Sequence, residues 1–218
     1  MSENLPAIRE LERVAAPCPH PLGIAHDGSA LWLGSGETDR IYRFDPGSGA
    51  ISDEAATPGS VYGLAAHGDE LRAVVGDAED DRFLARYVRG SGFDATTIPC
   101  PGRTGSWLAF DGARLFMSQR FEKRILELDA AGDVVRTFAV AREITGMTMV
   151  DGTFCLITTA SRDVDDYRFV RLDPSQPQPA EVEVASIPFA GARGLAYDGA
   201  TFWTSLRAAN TIVAFTTP

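Results

Sequence analysis

The chain has 218 residues, 44% apolar and 23% charged, enough to bury a full core as one domain (residues 1–218) and too apolar for a disordered chain. With 30 acidic against 20 basic residues the formal net charge is −10, which repels a nucleic-acid backbone or an anionic membrane, so neither is an expected partner. No stretch approaches the ~18 apolar residues of a membrane span, and the cysteines Cys18, Cys100 and Cys155 show no CxxC spacing that would suggest a disulfide framework or a zinc site.

The first residues, MSENLPAIRE, carry acidic side chains and no apolar signal region, so a cytoplasmic location is expected, with residues 1–6 loosely ordered. Residues 7–17, IRELERVAAPC, form a strand-like run that belongs to no complete unit. A unit then begins with GIAHDGSALWLGSG at Gly23. It recurs as GLAAHGDELRAVVG at Gly63, WLAFDGARLFMSQ at Trp107, MTMVDGTFCLITT at Met147 and GLAYDGATFWTSL at Gly194. The turn glycines Gly28, Gly68, Gly112, Gly152 and Gly199 are therefore spaced 40, 44, 40 and 47 residues apart. Such a period is sought first because it decides the fold.

Each unit opens with an alternating run, a turn of the Asp-Gly type and a second β-branched or aromatic run, which is a hairpin signature. The glycines supply the positive φ that the turn requires, and this accounts for the recurring Asp-Gly pairs without a metal. A third run follows, as in RIYRFDPGSG and RILELDAAGD, and then a fourth, as in AISDEAATPG, FDATTIPCPG, VVRTFAVARE and AEVEVASIPFAG. Four antiparallel strands per period with no helical pattern between them predict an all-β, five-bladed β-propeller. The last unit holds only three strands, near 194–197, 201–205 and 211–216. Residues 7–17 are expected to supply its fourth, closing the ring and leaving no long free edge. The closed ring is expected to be a monomer.

GLAYDGATFWTS followed by NTI, and GIAHDGSALWLGSGETDRIYRFDPGSG, resemble the propellers of the virginiamycin B lyase, gluconolactonase and plant-type glutaminyl cyclase families over nearly the whole chain. The resemblance implies lyase, cyclase or hydrolase chemistry at one end of the channel. Ligands there meet the loops that lead into each unit and those that join its second and third strands. Glu37 follows the LWLGSG stretch that stands where the cyclases carry their catalytic glutamate. The lactonases hold calcium with Glu, Asn and Asp, whereas the asparagines here are Asn4 and Asn210, so no metal ligand is assigned.

The loops on the ligand side are less alike than the turns opposite, and variable loops on a rigid scaffold are where function resides. Within them His20, rigid in PCPHPLG, is the candidate general base, with Glu37 or Glu143 as its carboxylate partner. Arg103, Arg120, Arg193 and Arg207 are candidate anion ligands because a guanidinium grips carboxylate or phosphate with two parallel bonds. Tyr62 and Trp107 complete the substrate-binding set. Alternatively, the same arginines pair with Glu37, Glu79 and Glu143 in a satisfied polar rim. The expected ligand is a small anionic molecule or short peptide. No cofactor is expected, although the acidic loops GDAEDDRFLAR and TTASRDVDDYRF offer oxygen ligands to a divalent cation as an alternative. The rival function is a protein-binding scaffold anchored by Trp107, Phe121 and Tyr167.

Overall fold

The structure, a computed structural model, describes residues 5–176 and 178–218. Five antiparallel sheets follow one another in the order of the sequence units, forming blades I to V of a β-propeller. Blade I comprises Pro21–His26, Leu31–Ser35, Arg40–Phe44 and Ile51–Ala56, from the channel outwards. Blade II begins with Ser60–His67, Glu70–Gly76 and Arg82–Val88, blade III is Leu108–Phe110, Leu115–Gln119, Arg124–Leu128 and Val134–Ala139, and blade IV is Glu143–Val150, Thr153–Thr159, Arg168–Leu172 and Glu181–Ser186.

Blade V takes three strands from the C-terminus, Ala192–Tyr197, Phe202–Leu206 and Thr211–Thr216, and its outer strand, Arg9–Ala15, from the N-terminus. The closing pair runs antiparallel, from Arg9 opposite Thr216 to Ala15 opposite Thr211. Just upstream, Ile8 donates its N–H to the Ser186 carbonyl (2.9 Å) and Ser186 donates its own to that of Pro6 (2.8 Å). The N-terminal segment thus ties the outer strands of blades IV and V together. Of the residues expected to be loosely ordered, 1–4 lie outside the described set.

The outer strand of blade II departs from the plan. It is split into Gly92–Phe93 and Ile98–Pro99, both paired with Arg82–Val88. Phe93 and Ile98 flank the interruption, and the bonding continues past Pro99, which has no N–H of its own, with the Cys100 N–H donated to the Arg82 carbonyl (2.9 Å).

All five turn glycines lie at positive φ, from +57° at Gly68 to +102° at Gly199. Three turn aspartates add a second layer. Asp27 Oδ1 accepts the N–H groups of Ser29 and Ala30, Asp111 Oδ1 those of Ala113 and Arg114, and Asp198 Oδ1 those of Ala200 and Thr201. The other oxygen then takes a side chain: Asp27 Oδ2 accepts from Trp32 Nε1 (3.0 Å) and Asp198 Oδ2 from Trp203 Nε1 (2.7 Å). Burial alone would raise the Asp27 pKa. The Arg43 hydrogen bond and the turn N–H groups outweigh it and hold this carboxyl well below the ordinary range.

One column of side chains on the second strands fills the seam to the next blade. It is occupied by Trp32, Arg72, Phe116, Cys155 and Trp203, paired across the ladder with Arg43, Arg86, Glu127, Arg171 and Ala214. Trp32 packs among Val61, Leu64 and Leu71 of blade II, Phe116 meets Phe154 of blade IV edge-on at 4.9 Å, and Trp203 joins Ile24, Leu31 and Leu33 of blade I. Blades II and IV lack the aromatic.

On the inner strands another column reads Gly23, Gly63, Trp107, Gly146 and Gly194. The ring is tightest here: a Cβ on Gly146 would lie 2.6 Å from the Gly194 carbonyl oxygen. Blade III instead carries Trp107, whose buried indole shares a cluster with Leu22, Ile144, Met147 and the edge of Tyr62, from four blades. The axis is therefore filled beneath the mouth. Below this plug a cavity of about 100 Å³ remains, lined by Ala25, His26, Ala66, Phe110, Met149 and Tyr197 among others.

Candidate functional site

The mouth above the plug is built by the loops leading into the inner strands and those joining second to third strands. On blade I, His20 is held at φ +45°, a costly conformation for a residue with a side chain. Its N–H is donated to Asn210 Oδ1 of blade V (2.8 Å) and its carbonyl accepts the Gly36 N–H (3.1 Å). Ser35 Oγ donates to the Pro19 carbonyl and accepts the N–H groups of Glu37 and Thr38. These bonds bring His20 Nδ1 to 3.1 Å from Glu37 Oε2, with both side chains about half exposed. A carboxylate on Nδ1 leaves Nε2 of a neutral imidazole as the free base.

Across the mouth, Arg120 Nε donates to Glu143 Oε2 (2.9 Å), and both side chains are nearly buried. The Arg120 Nη2 atom is buried with no acceptor among the described residues. Burial, then the nearby Arg193 charge, lowers the Arg120 pKa, and Glu143 only partly compensates. Arg193 donates to the Tyr167 hydroxyl (3.1 Å) and to the Ala192 carbonyl (2.8 Å). It has no carboxylate partner among the described residues, and neither has the exposed Arg207. Tyr62 donates to Asp80 Oδ1 (3.2 Å), with the Arg82 guanidinium 3.6 Å from its ring centre. Burial raises its pKa, against the opposing charges of Arg82 and Arg207.

The structure thus gathers His20 with Glu37, and Arg120 with Glu143 and Arg193, and sets Tyr62 and Arg207 within each other's field. Two of the expected binding residues are engaged otherwise. Arg103 ion-pairs with Asp81 (3.0 Å), in the loop between the second and third strands of blade II, with its guanidinium 5.5 Å from the centre of the Phe83 ring. Trp107 is buried, its indole N–H donated to the Ile144 carbonyl (3.1 Å), so it plugs the channel and does not line the mouth. Glu143 faces Arg120, and the carboxylate beside His20 is Glu37.

Sequence reasoning passed over Tyr167 as a site residue and treated it as an exposed anchor. It is buried, and only its hydroxyl is engaged with Arg193. Its signal was its place at the end of the acidic loop of blade IV. Asp166 beside it accepts from Thr159 Oγ1, the Ala160 N–H and Arg142, which consumes the carboxylate in clamping the loop. In the other acidic loop Asp77 caps N–H groups, Asp80 meets Arg82 and Asp81 meets Arg103. Among the described residues no three His, Cys, Asp or Glu side chains converge. The thiols are buried, and burial pushes Cys18 and Cys100 up to about 12 and Cys155 to about 11, so none is an activated thiolate near neutral pH.

No protein-family model and no curated protein sequence matches the chain. Solved structures do resemble it. Glutaminyl cyclase from Myxococcus xanthus superposes with a TM-score of 0.72 at 13% identity, over 99% of this chain and 98% of that one. The calcium-binding protein regucalcin from Agrobacterium tumefaciens gives 0.58 at 11% identity, over 100% and 96%. Virginiamycin B lyase from Staphylococcus aureus gives 0.52 at 14%, over 94% and 98%. The fold is that of the five-bladed β-propellers, and the chain shares its architecture with enzymes. Among the described residues no helix is long and apolar enough to cross a membrane.

Proposed function

We propose that the mouth binds a small organic molecule or short peptide through an anionic group, and that the bound molecule undergoes lyase, cyclase or hydrolase chemistry. Arg120, Arg193 and Arg207 hold the anion, while the Tyr62 and Tyr167 rings border it. His20, oriented by Glu37, is the general base. Glu143 keeps Arg120 in place. The observation that carries the reading is the arginine pair: Arg120 and Arg193 lie within each other's field and only Arg120 has a carboxylate partner, Glu143, in a chain of net charge −10. An anion that relieves this repulsion in a partly desolvated site gains more than it would at an open surface.

A protein-docking scaffold fits less well. Of its three expected anchors Trp107 and Tyr167 are 6% and 3% exposed, which leaves Phe121, at 64%, alone. The test is a thermal-shift series in which small organic acids are compared with their neutral amides, since a ligand selective for the folded state raises its melting temperature. The acids should raise it and the amides should not, with the shift abolished in Arg193→Gln. Once a turned-over acid is found, His20→Ala should abolish turnover and keep the shift. Equal shifts for acids and amides at the mouth would exclude the anion reading.

A further inference from the structure

Blades II and III part on the turn side of the ring in a cleft of about 330 Å³, away from the mouth. Two features of the sequence open it. Arg72 stands in the column where blades I, III and V place Trp32, Phe116 and Trp203, and the outer strand of blade II is interrupted between Phe93 and Ile98. Leu84, Ile98, Phe110, Leu115 and Leu128 give the cleft apolar walls. Ligand sites are commonly of this size, with apolar walls and a few fixed polar groups.

The polar groups are nearly matched. Glu70 ion-pairs with Arg72 Nη2 (2.6 Å) and with Arg86 Nη2 (2.9 Å), and Asp94 lies 3.4 Å from Arg86 Nη1. Asp129, also in the wall, uses Oδ1 to accept the N–H groups of Ala131 and Asp133. One donor and one acceptor are left over, the acceptor being Glu70 Oε1, which is buried and takes no hydrogen bond among the described residues. Arg72 Nε is buried with no acceptor among the described residues, on a guanidinium laid over the Phe110 ring at 5.3 Å. A carboxylate entering here would meet Glu70, Asp94 and Asp129 with only two guanidiniums and would leave Glu70 Oε1 without a donor. An ammonium would leave the Arg72 N–H without an acceptor, whereas a neutral amide group carries both a carbonyl oxygen and an N–H.

We propose that this cleft is a second binding site, for a small uncharged molecule with an apolar body and one primary or secondary amide group. The body lies against Leu115 and Leu128, and the carbonyl oxygen accepts from Arg72 Nε.

Ligand-observed NMR on the full chain tests this with N-methylbenzamide, benzoate and benzylamine, three probes of one shape and three charges. The amide should bind at millimolar concentration and several-fold more tightly than either ion. Arg72→Trp introduces the aromatic of blades I, III and V, and it should fill the cleft, raise the melting temperature and abolish amide binding. Arg72→Lys keeps the charge but loses the Nε–H donor, and should weaken the amide about tenfold, the scale of one charge-assisted hydrogen bond. If Arg72→Trp does not fold, the lysine variant decides alone. No amide binding to the wild type, tighter binding of either ion, or affinity unchanged in the variants would overturn the proposal.

Discussion

The two ends of the channel are made by the same five hairpins and treat their polar groups in opposite ways. At the turn end Asp27 gives one oxygen to two backbone N–H groups and the other to Trp32 and Arg43, and Asp198 does the same with Trp203. At the mouth Arg120 keeps a buried, unmatched Nη2, Arg193 leans on a phenol, and His20 sits in a left-handed conformation. The turn aspartates of blades I, III and V are consumed in holding their units together. Groups that occur once, on unlike loops, are left with unused valence, and unused valence is what a ligand can take up.

If this division is right, changes at the turn end should alter stability and changes at the mouth should alter binding. The largest effect is expected for Trp203→Ala, which empties the seam between blades V and I and leaves Asp198 without its indole donor. Urea unfolding should show a loss of about 3–5 kcal/mol. Asp198→Ala should follow at about 1–3 kcal/mol, since the turn N–H groups and the Trp203 indole lose their acceptor.

Acid should act on the turn aspartates as well. Burial raises the Asp198 and Asp111 pKa values, but the turn N–H groups and side-chain donors outweigh it and leave both below the ordinary value of 3.8. A carboxyl depressed in the folded state stabilises it above the unfolded value, and this stability is lost as pH falls through the folded one. Melting temperature should therefore fall below about pH 4, and Asp198→Asn should flatten that fall. Smallest in stability, and opposite in kind, is Arg193→Gln at the mouth. It should move unfolding by no more than about 0.5 kcal/mol while weakening a bound organic acid by about tenfold or more.

The same division explains what could be read from the sequence. The five turn glycines announced the blades, and IRELERVAAPC, a strand without a unit, announced the closing pair that runs from Arg9 to Ala15. The pairing of His20 with Glu37 was legible because both lie on unit I loops at one end of a known hairpin. Arg103 was not, because its partner Asp81 belongs to the preceding unit, and sequence spacing does not say which way a rim side chain turns. Trp107 was not placed by the sequence, because counting back from the turn glycines sets it beside Gly23, Gly63, Met147 and Gly194; the strand register, which puts Gly146 in place of Met147, shows it as the one large residue in a glycine column. Tyr167 was hidden by the acidic run before it, which drew the reading towards a cation, whereas Asp166 serves to clamp the loop. The cleft beside Arg72 was foreshadowed by an arginine in an aromatic column. That column is visible only once the strand register is known.

The central claim, that unmatched guanidiniums at the mouth await an anion, is tested most directly by following the arginine Nε–H signals in ¹H–¹⁵N spectra while a small organic acid is titrated. Arg120 and Arg193 should shift together and saturably, while Arg43, bonded to Asp27 at the opposite end, stays fixed. Signals of Arg120 and Arg193 that remain still, or that move no more than that of Arg43, would contradict the account.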